Sequence, residues 1–121
     1  MPAIRPGLRL RRSPKGVSAF AQPSALEDRL SDLPAVADNP GNLAARCYVP
    51  EGVSGPMPLV VVLHGCTQNA AVYDHGSGWS ALADKHGFVL LFPEQNRANN
   101  SMLCFNWFSG TDSPRGMGEA A

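Results

Sequence analysis

The chain predicts an α/β fold with a mostly parallel sheet covered by helices, on two observations. Leu59-Val60-Val61-Val62-Leu63 and Phe88-Val89-Leu90-Leu91-Phe92 are unbroken apolar runs. A half-buried strand alternates, so a continuous run bounded by turns predicts a strand buried on both faces. Between the runs, Trp79, Leu82, Ala83 and His86 fall at helical spacing on one face. Ser77 is the expected N-cap, and Gly87 supplies a left-handed residue after the helix. Strand, helix and strand make a βαβ unit.

The elements before this unit follow from turn chemistry. Ser24 is positioned to cap a helical turn over Ala25 to Leu30. Residues 1–37 otherwise lack periodicity and read as a basic, Pro-rich linker, with residues 38–121 forming the structured part. Asn39-Pro40-Gly41-Asn42 is a strong turn signal. Leu43 to Val49 then reads as a strand carrying Cys47 and Tyr48. Pro50 to Pro58 is a tight connection.

Composition narrows the class. Of 121 residues, 44% are apolar and 17% are charged, against about 25% charged in an average domain. A highly charged disordered chain and a coiled coil are excluded, and no apolar run approaches the about 20 residues of a membrane helix. The ten basic and ten acidic residues balance but are segregated. Arg5, Arg9, Arg11, Arg12 and Lys15 precede every acid. Pro and Gly interrupt this arm, so it reads as a solvated terminus, with neither nucleic acid nor membrane as partner. Residues 16–21 are too short and too polar for the apolar core of a secretory signal.

The chemistry-bearing residues follow the first apolar run. In open α/β sheets, ligands sit beyond the carboxyl ends of the strands, where His64-Gly65-Cys66-Thr67-Gln68-Asn69 lies. Gly65 permits a sharp turn and close backbone approach. The N–H groups after it can point at a developing negative charge, as in an oxyanion hole. His-Gly after a Val-rich strand resembles the oxyanion loop of α/β-hydrolases, whose catalytic histidine comes last in the chain, so that resemblance makes His64 a poor candidate for the catalytic base. It reads as support for the loop. A small nucleotide-binding domain would need a Gly-rich phosphate loop here, and this loop is not one.

Read together, the motifs are specific. They are Leu63-His64-Gly65-Cys66-Thr67-Gln68, Tyr73-Asp74-His75-Gly76-Ser77-Gly78-Trp79, His86-Gly87-Phe88, Phe92-Pro93-Glu94-Gln95, Cys104-Phe105-Asn106-Trp107-Phe108 and Arg115-Gly116-Met117-Gly118-Glu119-Ala120. Over roughly residues 39–121 the chain resembles the polyhydroxybutyrate depolymerase family of serine esterases. That family includes extracellular short-chain-length polyhydroxyalkanoate depolymerases and feruloyl and acetylxylan esterases. The resemblance implies an α/β-hydrolase fold, here only its N-terminal strands and first helix, and an extracellular location, the alternative being cytoplasmic since no signal peptide is visible in these residues. It implies a Ser-His-Asp triad acting on an ester or polyester substrate, without cofactor or metal.

Carried over residue by residue, the resemblance makes the Cys66 backbone N–H one oxyanion donor, supported by Gly65 and His64. It pairs Cys66 with Cys104 as a disulfide, the alternative being two reduced thiols, and leaves Cys47 as a small core residue. A zinc site from these cysteines with His64 or His75 lacks Cys-x-x-Cys spacing. Trp107 and Phe108 are candidates for an apolar substrate wall. Glu94 and Gln95 are expected in capping or structural hydrogen bonds, Asp74 and His75 in fixing a loop, and Arg115 with Glu119 as a surface ion pair.

One departure stands out. No Gly-x-Ser-x-Gly nucleophile pentapeptide occurs in the 121 residues, and the family's nucleophile lies beyond the Arg-Gly-x-Gly-Glu-Ala stretch. The triad is therefore expected outside this chain, making it an N-terminal fragment that is inactive alone. The competing reading is a catalytically inactive remnant or partner-binding α/β module.

Overall fold

A computed structural model describes residues 27–121. Seven elements follow in order: β1 (Ser31–Asp32), β2 (Ala44–Tyr48), β3 (Leu59–Val61), α1 (Ala70–Ser77), α2 (Trp79–His86), β4 (Val89–Glu94) and a short 3-10 helix, Gly118–Ala120. The four strands form one sheet in the order β1-β2-β4-β3. β3 and β4 pair parallel, as a βαβ unit requires, with Val60 opposite Leu90. The β1–β2 and β2–β4 pairs are antiparallel. The described sheet is thus mixed, not mostly parallel.

Burial corrects the reading of the apolar runs. Leu90 and Phe92 are fully buried, and Val62 nearly so. Together with Leu30, Ala70 and Ala83 they form the core, with Tyr48, Val60, Tyr73, Trp79 and Phe88 packed around it. The alternate residues of the edge strand and its continuation, Leu59, Val61 and Leu63, are each more than half exposed (58%, 53% and 54%). Both helices lie against the Val60, Val62, Leu90 and Phe92 face. The runs are apolar throughout, but among the described residues only one face of the sheet is covered.

Two helices stand where the periodicity indicated one. Asn69 caps α1 by accepting from the Val72 N–H at 2.9 Å, and Asp74 and His75, expected in a loop, lie on this helix. Ser77 closes α1 rather than capping α2, and Gly78, at φ 76°, divides the two helices. The α2 cap comes from the previous helix. Buried Asp74 accepts from the Ser80 N–H and hydroxyl, both at 2.7 Å. His75 is exposed on α1, and the inward residues of α2 are Trp79, Ser80 and Ala83, with Leu82 and His86 exposed. Gly87 ends α2 at φ 72°, as its position predicted.

The segment expected to be linker contributes to the fold before residue 38. Leu30 enters the core, and β1 pairs with β2. Glu27 to Leu30 is not helical, and the rest of the helical turn expected from Ser24 lies outside the described residues. Arg29 donates to Ser80 Oγ at 2.9 Å and to the Tyr48 hydroxyl at 2.6 Å, and it pairs with Asp84. Arg46 spans Asp28 at 2.9 Å, Asp32 at 2.7 Å and the Leu30 carbonyl at 2.7 Å. These pairs fasten residues 28–32 across β2 and α2.

At the other end, residues 39–43 receive the 3-10 helix at backbone contact. A Cβ on Gly41 would lie 2.7 Å from Glu119 Cα and 2.8 Å from the Gly118 carbonyl oxygen. Backbone cannot yield as a flexible side chain would. Glu119 points inward and bonds Gln95 and Asn106, so the expected surface pair with Arg115 does not form among the described residues.

Two predictions follow from these attachments. Gly41→Ala forces the two backbones apart and lowers stability by about 1–3 kcal/mol, read as a fall in the urea midpoint; an unchanged midpoint would refute the close approach. The Arg46 hydrogen bond holds the Asp28 carboxyl below the usual carboxylate range, and hydrogen bonds from Tyr48 and then Arg29 do the same for Asp84. Folding therefore favours both ionised forms, and the unfolded chain binds more protons. Their stabilisation is complete above the ordinary carboxylate value of about 4 and is lost as pH falls through the lowered values. The urea midpoint should fall between about pH 5 and pH 3, and less steeply in Arg46→Ala. Equal slopes in the two proteins would count against the pairing.

Candidate active site: the loop after the edge strand

The loop at His64 begins where the β3–β4 ladder runs out of partners. The Val62 N–H donates to the Leu91 carbonyl at 2.9 Å. Two residues on, Pro93 has no N–H to offer. Two further, the Gln95 N–H donates at 3.0 Å to His64 Nε2. The imidazole thus takes the place of the next rung. Since Nε2 accepts, the ring proton of neutral His64 is on Nδ1, and Nδ1 donates to the Gly65 carbonyl at 2.7 Å. His64 is buried, with both ring nitrogens engaged. Its ring lies 4.9 Å from that of Phe105.

The backbone donors of the loop are almost all occupied. The Gly65 N–H donates to Gln68 Oε1 at 2.8 Å, and the Gln68 N–H returns to the Gly65 carbonyl at 3.2 Å. The Thr67 N–H donates to the Met102 carbonyl at 2.7 Å. The Cys66 N–H, on an exposed residue, has no protein acceptor among the described residues. It is the one N–H from Gly65 to Gln68 left open to a ligand. Thr67 sits at φ 62°, a left-handed conformation that a β-branched residue rarely adopts. Such strain persists where the surroundings over-determine it. Here they are the Met102 hydrogen bond and the Cys66 crosslink.

Cys66 and Cys104 form a disulfide across 38 residues, and Cys47 is the free, half-buried thiol among the described residues. In the chain-entropy model, closing such a loop contributes about 4 kcal/mol. The bond fixes the His64 loop to the 96–108 segment. That segment is wound on asparagine side chains. Asn100 Oδ1 accepts from the Met102 N–H at 2.9 Å and the Cys104 N–H at 3.3 Å, while its Nδ2 donates to Asn106 Oδ1 at 3.0 Å.

Glu94 and Gln95 are structural, as their position indicated. Glu94 Oε2 accepts from the Ala70 N–H at 2.7 Å at the start of α1. Gln95 Nε2 donates to the Cys104 carbonyl at 3.0 Å and to Glu119. Glu119 also accepts from the Asn106 N–H at 2.6 Å and from Asn106 Nδ2 at 3.1 Å. The extent of this network was not visible in the sequence; only the Phe92-Pro93-Glu94-Gln95 string marked its place.

Trp107 and Phe108 follow directly and are 79% and 64% exposed, ring centroids 5.7 Å apart edge to face. Trp107 lines a shallow apolar cleft with Leu43, Leu63, Phe105 and Ala120; Phe108 does not line it. The structure therefore brings His64, Gly65, Cys66, Cys104 and Gln95 into one cluster, with Trp107 on the adjoining segment.

Comparison with known proteins adds the family. A family model described as "Esterase PHB depolymerase" matches residues 43–121. The chain is 55% identical over 82 residues to poly(3-hydroxyalkanoate) depolymerase C of Paucimonas lemoignei, covering 68% of this chain and 20% of that protein. It is 39% identical over 74 residues to probable acetylxylan esterase A of Aspergillus clavatus, covering 59% of this chain and 24% of that protein. Among solved structures, acetyl xylan esterase from Aspergillus awamori matches at 30% identity and a TM-score of 0.49, covering 53% of this chain and 23% of that one. The chain thus spans about a fifth to a quarter of the length of these curated relatives. Its small mixed sheet with two helices fits part of an α/β-hydrolase-like fold. The family match begins one residue before β2 and takes in the whole His64 cluster, and on it the chain belongs to the PHB depolymerase family of esterases.

Proposed function

We propose that this chain supplies the oxyanion-binding part of a serine carboxylic ester hydrolase acting on polyhydroxyalkanoate-type esters. The carrying observation is the Cys66 N–H, which is open while its neighbours in the loop are occupied. In such a hydrolase a serine hydroxyl attacks the ester carbonyl, and the carbonyl oxygen becomes an oxyanion. A histidine takes the serine proton and passes it to the leaving alcohol, and an aspartate orients the histidine. The Cys66 N–H is one donor to the oxyanion; the other is the N–H after the nucleophile. His64 and Gly65 hold the donor in place. Trp107, on the apolar cleft, and Phe108, outside the cleft but edge to face against Trp107, form an apolar wall for the substrate chain. A developing charge met by fixed donors needs no reorganisation at the moment of reaction, and one such donor is worth about 3–4 kcal/mol.

No nucleophile pentapeptide occurs in these residues, so this reading takes the serine, with its histidine and aspartate, from outside them. The 121-residue chain alone therefore leaves a short-chain nitrophenyl ester at its buffer rate and takes up no organophosphonate label. A chimera in which this chain replaces the matched segment of the Paucimonas lemoignei depolymerase hydrolyses the ester. Stoichiometric labelling of the chain alone, or a folded chimera without activity, would overturn the reading.

Extracellular action belongs to the same proposal, supported by a disulfide of the kind that persists in oxidising compartments. Thiol titration of chain recovered from culture medium should find the Cys47 thiol alone before reduction and all three thiols after it. Three thiols before reduction would contradict an oxidising location.

A further inference from the structure

The Gln95 side chain uses every hydrogen-bonding group it has. The residue is 4% exposed. Its Nε2 donates to the Cys104 carbonyl at 3.0 Å and to Glu119. Its Oε1 accepts from Asn99 Nδ2 at 2.8 Å and from the Asn96 N–H at 3.0 Å. Its backbone N–H donates to His64 Nε2 at 3.0 Å. A primary amide offers two donors and two acceptor sites, so this side chain has one orientation that satisfies all its partners.

These bonds close a ring around the loop. Gln95 holds His64 through its backbone and Cys104 through its side chain. His64 holds the Gly65 carbonyl. Cys104 holds Cys66 through the disulfide. The peptide between Gly65 and Cys66 carries the open N–H, and it is gripped at both ends by groups that answer to Gln95. Glu119 ties the same amide to Asn106, the residue before Trp107.

We propose that Gln95 is a positioning residue for the oxyanion donor: it touches no reacting atom, and it fixes the Cys66 N–H by holding His64 on one side and Cys104 on the other. The inference rests on the reading of Cys66 as that donor. A misplacement of about 1 Å in an active site costs about 10²-fold in rate. Loss of the Gln95 amide should therefore appear in kcat, with KM little changed.

The test uses the active chimera and the full 121-residue chain side by side. In the chimera, Gln95→Ala should lower kcat by about 10²-fold and weaken a boronate transition-state analogue in parallel. Asp74→Ala, which removes the α2 cap and none of the bonds of the Gln95 ring, should lower the melting temperature and leave kcat unchanged below it. Gln95→Glu sets a carboxylate against Glu119 and should be as poor as Gln95→Ala. Adding Glu119→Gln restores a donor–acceptor pair with the roles exchanged and should recover part of kcat. In the full chain, equilibration with glutathione reads the Cys66–Cys104 pair without catalysis. Gln95→Ala should disfavour the disulfide by about fivefold, the value of one net hydrogen bond, and Asp74→Ala should not.

A Gln95→Ala loss no larger than that of Asp74→Ala in both measurements would overturn the proposal, as would a change confined to KM. An inactive chimera carrying the unmodified segment would instead sink the esterase reading. The glutathione equilibrium would still show whether Gln95 positions Cys104.

Discussion

The geometry of the His64 loop turns on one hydrogen bond, from the Gln95 N–H to the His64 imidazole. A parallel ladder cannot stop without leaving donors and acceptors behind, and a buried orphan donor costs about 1–3 kcal/mol. Pro93 removes one rung by chemistry. The imidazole satisfies the next and, in the same act, leaves the β3 direction as a loop. A hydroxyl or amide could cap a donor too. The imidazole differs in offering an acceptor on one side and a donor on the other. With Nε2 accepting, Nδ1–H turns back to the Gly65 carbonyl. The end of β4 and the first peptide of the loop are thereby set by a single rigid ring.

Everything attached to the loop builds outward from that ring. The disulfide reaches from the next residue to Cys104, and the Thr67 N–H reaches to Met102. The far segment has little regular structure of its own and is held by Asn100, Asn106 and Glu119. Glu119 arrives because Gly41 lets two backbones touch. A left-handed Thr67 is tolerable only because both its neighbour and its N–H are tied to that segment. The apolar core is small, centred on Leu90 and Phe92, and it lies under α1 and α2. The rigidity of the loop accordingly comes from polar bonds with low positional freedom more than from packing.

Much of this was legible because it depends on residue type and order. The two apolar runs, the helix ending at Gly87 and the turn at Asn39-Pro40-Gly41-Asn42 are local signals, and the elements they mark are present. The loop at His64 was legible because Gly65 and its position after a strand are local too. Burial was not. An apolar run reports the solvent preference of its side chains, and Leu59, Val61 and Leu63 are exposed among the described residues despite that preference. Helix α1 was hidden because its cap, Asn69, precedes a string rich in residues that also serve turns. Arg29 reads as linker in the sequence because its partners, Tyr48, Ser80 and Asp84, are distant along the chain, and Leu30 because the core it enters is built from distant residues. The Gln95 network was out of reach for the same reason, since its partners span residues 64 to 119.

This division explains why the polar network carries more information about chemistry than the core does. An apolar contact is non-directional, and many side chains of similar volume fill the same space. The amide of Gln95 admits one arrangement of its four partners, and the His64 ring admits one placement of its proton once Nε2 accepts. Each of these choices fixes a direction as well as a distance. An oxyanion donor is useful only when its direction is fixed before the charge appears. On the proposed reading of Cys66 as that donor, its direction is held by the disulfide through its own side chain and by the His64 bond to the Gly65 carbonyl on its other flank.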